Sequence, residues 1–331
     1  MALGRKTLIS GVKPTGRPHI GNYFGAMRQF VDFQDEYSSL IFIANLHALT
    51  TEKNSKQLKQ NTLDVAIDYL AIGLDPKKTL IFKQSDTPQV AELAWMFNCL
   101  TTVPYLMRAH AYKDAVAKNE EVNAGVFEYP VLMAADILIH DSDVVPVGYD
   151  QAQHIEIARD MARMFNHTFG EIFKSPKEII LEGMKIVPGT DGRKMSKNYN
   201  NTIPLFATDD EITKAVMSIP TDSSTIDDQK DPEKDNVFAL HKLFSNKKEL
   251  AKLEEKYRKG GIGYKESKEI LVKNISTFTA PLREKRAKIA QDKQSVLDML
   301  DEGGKRARAK AEEKMEKVRE IVGLTLSESS L

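Results

Sequence analysis

Apolar residues fall into short runs separated by longer stretches in which they recur every three or four positions. Residues 7–12 (TLISGV) read as a short buried strand, followed by a Pro14-Thr15-Gly16-Arg17-Pro18 turn. A helix is predicted from His19 to about Tyr37, with apolar positions at Phe24, Met27, Phe30, Val31 and Phe33. Residues 39–49 (SLIFIANLHAL) form an apolar run that suits a strand buried on both faces. An amphipathic helix from about Ser55 to Leu74 leads into a third strand, TLIFKQS, at 79–85. Strand and helix alternating in this way predict an α/β protein with a parallel sheet and crossover helices.

Residues 87–140 are predicted mostly helical, 143–148 (DVVPVG) return to strand, and a helix runs from about Asp150 to Phe165. Short strand segments, EIIL and then KIVP, come next. After Thr202 the character changes to helices with Lys-, Arg- and Glu-rich faces, interrupted by the loop at 219–236. The boundary near 203–208 divides the chain into a domain of residues 1–205, with a helical insertion at about 87–140, and a helical domain of residues 206–331.

Composition narrows the class. The 331 residues are 41% hydrophobic and 28% charged, as in soluble globular proteins, and no apolar run is long enough to span a membrane. The opening MALGRKTLISG reads as a first strand rather than a signal peptide, so the expected compartment is the cytoplasm. The single cysteine, Cys99, excludes an internal disulfide and a multi-cysteine metal site; beside Trp95, Met96 and Phe97 it is expected in the core. With 47 basic and 47 acidic residues the chain is not coated in positive charge for DNA, although local patches could still hold a nucleic acid.

Two motifs carry chemistry. Pro18-His19-Ile20-Gly21-Asn22 lies between the first strand and the next helix. A helix N-terminus offers free N–H groups and the positive end of the dipole, which suits a triphosphate. His19 and Asn22, three apart on one turn, can both donate toward the same anion. Gly21 lacks a Cβ, so a flat base could pack on the backbone. Lys13 and Thr15 in the preceding turn, beside Pro14, add a charge and a hydroxyl. An ordinary helix start after a Pro-rich turn would look the same. The second motif is Lys194-Met195-Ser196-Lys197-Asn198, preceded by Gly189 and Gly192. A loop with Lys194 and Lys197 could close over β- and γ-phosphates and stabilise departing pyrophosphate, though alone the favoured reading is a solvated basic turn. The two in this order around a βαβ pattern favour a site that cuts between the phosphates of a nucleoside triphosphate.

The pairing resembles the HIGH and KMSKS signatures of class I aminoacyl-tRNA synthetases, over about residues 7–324. Within that class SGVKPTGRPHIGNYFGAMRQF (10–30), YPVLMAADIL (129–138), VPVGYDQAQHIEIARDMARMFN (145–166) and GRKMSKN (192–198) resemble the bacterial-type tryptophanyl-tRNA synthetases. Asn22 in place of the final His is usual in that family, and Asn198 for the final Ser is a mild departure. The resemblance implies a Rossmann-like catalytic domain and a C-terminal α-helical anticodon-binding domain. It implies activation of L-tryptophan with Mg-ATP to an adenylate, then transfer to tRNA(Trp), by a homodimer with no membrane association and no protein-bound metal cage.

The same resemblance distributes the site. His19, Asn22, Lys194 and Lys197 would stabilise the transferring phosphates. ATP would also meet Lys13, Pro14, Thr15, Gly21, Met195, Ser196 and Asn198, with Gly148, Tyr149 and Asp150 on the nucleotide, Asp150 near the ribose and Ile186 against adenine. Tyr129, Met133 and Asp136 share a helix face. An indole has one N–H donor and no acceptor, so Asp136 would accept it while Met133 fills the space beside the ring. Tyrosyl relatives carry Gln where Met133 stands. Tyr129 and Gln151 would hold the ammonium group, and His47 would lie near the carboxylate. Asp150 also fits a helix N-cap, Ile186 and Met133 fit plain core packing, and His47 fits a buried core histidine.

Three departures stand out: Lys13 where relatives often have Gln, Asn45 where many have Asp, and Ala115 where a second lysine beside Lys113 is common. Two basic clusters, Arg283, Lys285, Arg286, Lys288 and Lys305, Arg306, Arg308, Lys310, could meet tRNA phosphates or line solvated helix faces. The alternatives are a tyrosine-specific relative, a nucleotidyltransferase of the wider superfamily, and a non-catalytic synthetase-like tRNA-binding protein.

Overall fold

The computed structural model describes residues 4–117, 122–148, 152–180 and 187–326. In chain order the elements begin with β1 (Thr7–Val12), α1 (Ile20–Asn22), a π-helical turn (Tyr23–Met27), α2 (Arg28–Phe33), β2 (Ser38–Ile43), α3 (Asn45–Ala48), α4 (Ser55–Ile72) and β3 (Thr79–Lys83). Next are α5 (Gln89–Leu100), α6 (Val103–Leu106), α7 (His110–Ala117), α8 (Ala124–Leu138), β4 (Val144–Val147), α9 (Ala152–Phe169) and β5 (Lys177–Ile180). Among the described residues, a 3₁₀ turn (Lys197–Tyr199) and five α-helices follow: α10 (Asp209–Met217), α11 (Asn236–Phe244), α12 (Lys247–Lys259), α13 (Tyr264–Gln291) and α14 (Lys293–Val322).

The expected fold class holds. Among the described residues five parallel strands form one sheet in the order β3-β2-β1-β4-β5, the doubly wound arrangement of a Rossmann-like domain. The chain reverses direction across the sheet between β1 and β4, so the crevice beyond their C-terminal ends is where such a sheet takes a ligand. Register sets Gly11 beside Phe42, and a Cβ on Gly11 would meet the Phe42 ring at 2.8 Å.

Two apolar runs end as strands sooner than their pattern predicts. β2 stops at Ile43, and Asn45–Ala48 form α3 because the backbone N–H groups of Leu46 and His47 both bond the Gln84 side chain. β3 stops at Lys83, where the Asp86 carboxylate accepts the Lys83 N–H and closes a 3₁₀ turn over Gln84–Asp86. The predicted helix from His19 to Tyr37 is instead α1, the π turn and α2; π turns recur at functional sites.

The chain forms two compact units. One comprises Met1–Gly16, Gln29–Glu182 and Asp292–Leu331; the other comprises Arg17–Arg28 and Gly183–Gln291. A single cut at 205 does not describe this division, because α14 belongs with the sheet. Gly303 has no side chain where the Ile81 carbonyl approaches, and a Cβ there would overlap it. Ala307, Ala311, Met315 and Val318 continue that face into the core shared with β2, β3 and α5. Arg308 Nε donates to the Asp86 carbonyl (2.7 Å), and Arg319 pairs with Glu92 (2.6 Å) and with Glu312. The second basic cluster therefore lies on a helix of the sheet-bearing unit.

The other unit has its own core, in which Ile20, Met195, Ile203, Ile212, Val216, Leu240 and Leu271 meet. Phe24 stacks on Phe278 at 5.6 Å and meets Phe244 edge-on, tying the π turn to α11 and α13.

Cys99 is exposed, contrary to expectation. It shares a face of α5 with Trp95, which is 69% exposed, while Leu93, Ala94, Met96 and Phe97 take the core side. No helix among the described residues is long and apolar enough to cross a membrane.

Candidate active site

Both motifs, residues 18–22 and 194–198, lie in the second unit. Ile20 N–H donates to the Ile203 carbonyl and Leu205 N–H to the Pro18 carbonyl, fixing the segment before α1 on residues 203–205. Arg17 adds a two-pronged pair with Glu211, holding that carboxylate down to about 2.

His19 and Asn22 complete one another as a capping box. His19 Nδ1 accepts the Asn22 N–H (3.2 Å), and Asn22 Oδ1 accepts the His19 N–H (3.0 Å). With Nδ1 an acceptor, the neutral ring carries its proton on Nε2, and Asn22 keeps its amide N–H groups as donors. Burial first, then the charge of Lys197, lowers the His19 pKa to about 4. At neutral pH His19 therefore offers a hydrogen bond without a charge.

The second motif is anchored by its methionine. Met195 is buried in the core, its N–H donates to the Val187 carbonyl (2.9 Å), and its sulfur accepts the Gly21 N–H at 3.3 Å. Lys194, Lys197 and Asn198 are exposed on either side of that anchor. The Ser196 hydroxyl accepts the Asn198 N–H at 3.3 Å.

Asn201 organises the loop, and the sequence reading missed it. Its Oδ1 accepts the Ser196 N–H (2.8 Å), and its Nδ2 donates to Asp191 (2.6 Å) and to the Lys194 carbonyl (3.1 Å). Its side chain is buried and fills the space where a Cβ on Gly189 would stand. The only sequence signal was an Asn three residues beyond the motif, indistinguishable from other loop asparagines.

The sheet-bearing unit holds the second group of residues. Lys13, at the end of β1, donates from Nζ to Thr50 Oγ1 (3.2 Å), and burial lowers its pKa. Pro14 is buried, whereas Thr15 is exposed. Asp136 on α8 is buried and receives His47 Nε2 on Oδ2 at 2.9 Å. Gln84 Nε2 lies 3.0 and 2.9 Å from its two oxygens. Burial raises the Asp136 pKa, and the bonds from His47 and Gln84 oppose that rise.

Tyr129, seven residues earlier on α8, meets the His47 ring edge-on at 5.6 Å, and its hydroxyl bonds His154 Nε2. Met133 between them is half-buried against the sheet's core. His47 thus touches both Tyr129 and Asp136. Asn45 bonds Ser85 through both ends of its amide, fastening α3 to the turn after β3. Gly148 ends the described stretch after β4, while Tyr149, Asp150, Gln151 and Ile186 lie outside the described residues. Among the described residues no group of three or more His, Cys, Asp or Glu could hold a metal ion.

A parallel Rossmann-like sheet, a capped helix start and a lysine loop anchored beside it define an ATP-dependent enzyme of the class I synthetase type. The family described as tRNA synthetases class I (W and Y) matches residues 3–280, and the chain belongs to it. The tryptophan–tRNA ligase of Fusobacterium nucleatum is 49% identical over 320 residues, covering 96% of this chain and 98% of that one. That of Rhodopirellula baltica is 49% identical over 317 residues, covering 96% and 99%. The crystal structure of tryptophanyl-tRNA synthetase from Campylobacter jejuni complexed with ADP and tryptophan superimposes with a TM-score of 0.90 at 44% identity, covering 96% of this chain and 99% of that one.

Proposed function

We propose a division of labour among these residues for a two-step ligation. The chain activates tryptophan with ATP, releasing pyrophosphate, and transfers the aminoacyl group to tRNA. What carries the tryptophan reading is the match, along 96% of the chain, to relatives that are tryptophan–tRNA ligases. A carboxylate at Asp136 would offer acceptors only, which suits an indole N–H that offers a donor only.

In the first step an oxygen of the tryptophan carboxylate attacks the α-phosphorus of Mg-ATP, and the bond to pyrophosphate breaks. His19 Nε2–H, the Asn22 amide, Lys194 and Lys197 stabilise the charge that develops on the phosphates. Magnesium arrives with the nucleotide, held by phosphate oxygens rather than by a protein cage. Lys13, Pro14, Thr15, Gly21, Gly148, Tyr149, Asp150, Ile186, Met195, Ser196 and Asn198 shape the nucleotide site. Asp136 receives the indole, Met133 packs beside it, and Tyr129 and Gln151 hold the ammonium. His47 bonds Asp136, which supports a role at the indole end in place of the expected carboxylate contact.

In the second step a hydroxyl of the terminal ribose of tRNA(Trp) attacks the aminoacyl carbonyl and AMP leaves. Positioning and electrostatics suffice; no side-chain nucleophile enters. The helical segment 206–291 and the basic residues Arg283, Lys285, Arg286 and Lys288 are proposed to meet the tRNA. The chain is proposed to work in the cytoplasm as a homodimer, an assembly supported by the exposed Trp95 of α5, Val103 of α6 and Met107 just after it. Charging of a tRNA(Trp) transcript with labelled tryptophan tests the whole reading. Label on the tRNA only when ATP is present supports it, and charging with tyrosine instead overturns it.

A further inference from the structure

We infer that Gln84 is a specificity-positioning residue: it holds the Asp136 carboxylate as an acceptor aimed at an N–H donor, through a side-chain bridge between α3 and α8. The inference rests on the assignment of Asp136 to the substrate ring.

The bridge has one chemical orientation. Gln84 Oε1 accepts the backbone N–H of Leu46 (3.0 Å) and of His47 (3.1 Å). Two N–H donors can meet only the carbonyl end of the amide, so the NH₂ end must face Asp136. Gln84 is 1% exposed and Asp136 3% exposed, so water does not compete for these bonds.

The acceptor count then follows. A carboxylate has about four lone-pair sites. Among the described residues, Asp136 Oδ2 receives both His47 Nε2 and Gln84 Nε2, whereas Oδ1 receives Gln84 alone. Oδ1 keeps the capacity for one further donor. Because His47 sits on the helix whose first N–H groups Gln84 holds, Gln84 also fixes the ring that supplies the other bond. Without the bridge a carboxyl buried this deeply would favour its protonated form, which presents an O–H and no longer selects a donor.

The test compares tryptophan with β-(3-benzothienyl)alanine, in which sulfur replaces the indole N–H at nearly the same shape. Each is assayed in amino-acid-dependent pyrophosphate exchange with wild type and with Gln84→Met. In the wild type kcat/KM favours tryptophan; in Gln84→Met that preference falls roughly tenfold or more, the worth of a hydrogen bond to a charged group. The benzothienyl substrate and the KM for ATP change by less than about threefold, within the scatter of pairwise effects. Gln84→Asn, which keeps the amide but is one methylene too short to span both partners, provides the same reading if Gln84→Met does not fold. A folded variant that keeps the wild-type preference, or loses both substrates equally, overturns the inference. A wild type that activates neither substrate instead overturns the tryptophan assignment itself.

Discussion

The sulfur of Met195 lies 3.3 Å from the Gly21 nitrogen, so the methionine of the lysine motif is seated on the glycine of the helix-start motif. Lys194 and Lys197 flank this buried contact, and the proposed phosphate chemistry would depend on it.

Substitution at either end should therefore act on ATP. A Cβ at Gly21 would come within 2.9 Å of His19 Nδ1 and 3.2 Å of Met195 Cβ. Gly21→Ala should lower kcat/KM for ATP about 10²-fold, the scale of a 1 Å misplacement, with KM for tryptophan little changed. Met195→Ala should also cost about 2–5 kcal/mol of stability, as for a buried methionine. Steady-state exchange kinetics and urea melts separate the two effects.

His19→Ala should reduce kcat for exchange by about 10²–10³, the usual loss for one preorganised donor to a developing anion. His19→Asn, which restores a donor at shorter reach, should recover part of it. An unchanged kcat in both would remove His19 from the mechanism.

Removing the loop's buried clamp should loosen both lysines. Asn201→Ala leaves the Ser196 N–H without its acceptor and Asp191 without its Nδ2 donor. The expected cost is about 1–3 kcal/mol, with KM for ATP rising more than KM for tryptophan.

Acid stability should track buried histidines. Burial lowers His140 to about 3 and both His19 and His241 to about 4, from an ordinary value of 6.5. Above pH 6.5 each is neutral folded and unfolded, so no stability is lost. As pH falls from 6.5 the unfolded chain takes up protons first, and the fold weakens until the folded-state value is reached. The slope should approach about 1.4 kcal/mol per pH unit for each enclosed ring, His140 and His241, and be smaller for His19, which solvent screens more. Urea melts across this window should show a shallower slope in His241→Gln.

Trp95 is the chain's only tryptophan, and it is 69% exposed in the single chain. In a homodimer buried at α5, its fluorescence should shift red on dilution. Trp95→Glu should give a monomer in sedimentation velocity, and a wild type that sediments as a monomer would contradict the proposed assembly.

The sheet was legible because β1, β2 and β3 are apolar runs at crossover spacing, and the placement of Tyr129, Met133 and Asp136 on one helix because spacings of four and three suit a helical face. Three features resisted reading for separate physical reasons. α3 and the 3₁₀ turn after β3 are held by Gln84 and Asp86, long-range and capping bonds that periodicity does not register. Cys99 has apolar neighbours in sequence, but the helix turns it outward with Trp95. α14 was assigned with the helices before it because its charged face dominates. Its Gly303, Gly304, Ala307 and Ala311 stripe, which lets it lie on β3, was the overlooked signal.

The central claim is that the chain forms an adenylate from tryptophan and ATP. The most direct measurement is amino-acid-dependent exchange of labelled pyrophosphate into ATP with the purified protein and magnesium. The account predicts rapid exchange with tryptophan and, with tyrosine, a rate lower by orders of magnitude. No exchange with any amino acid, from protein that still binds tRNA, would contradict it.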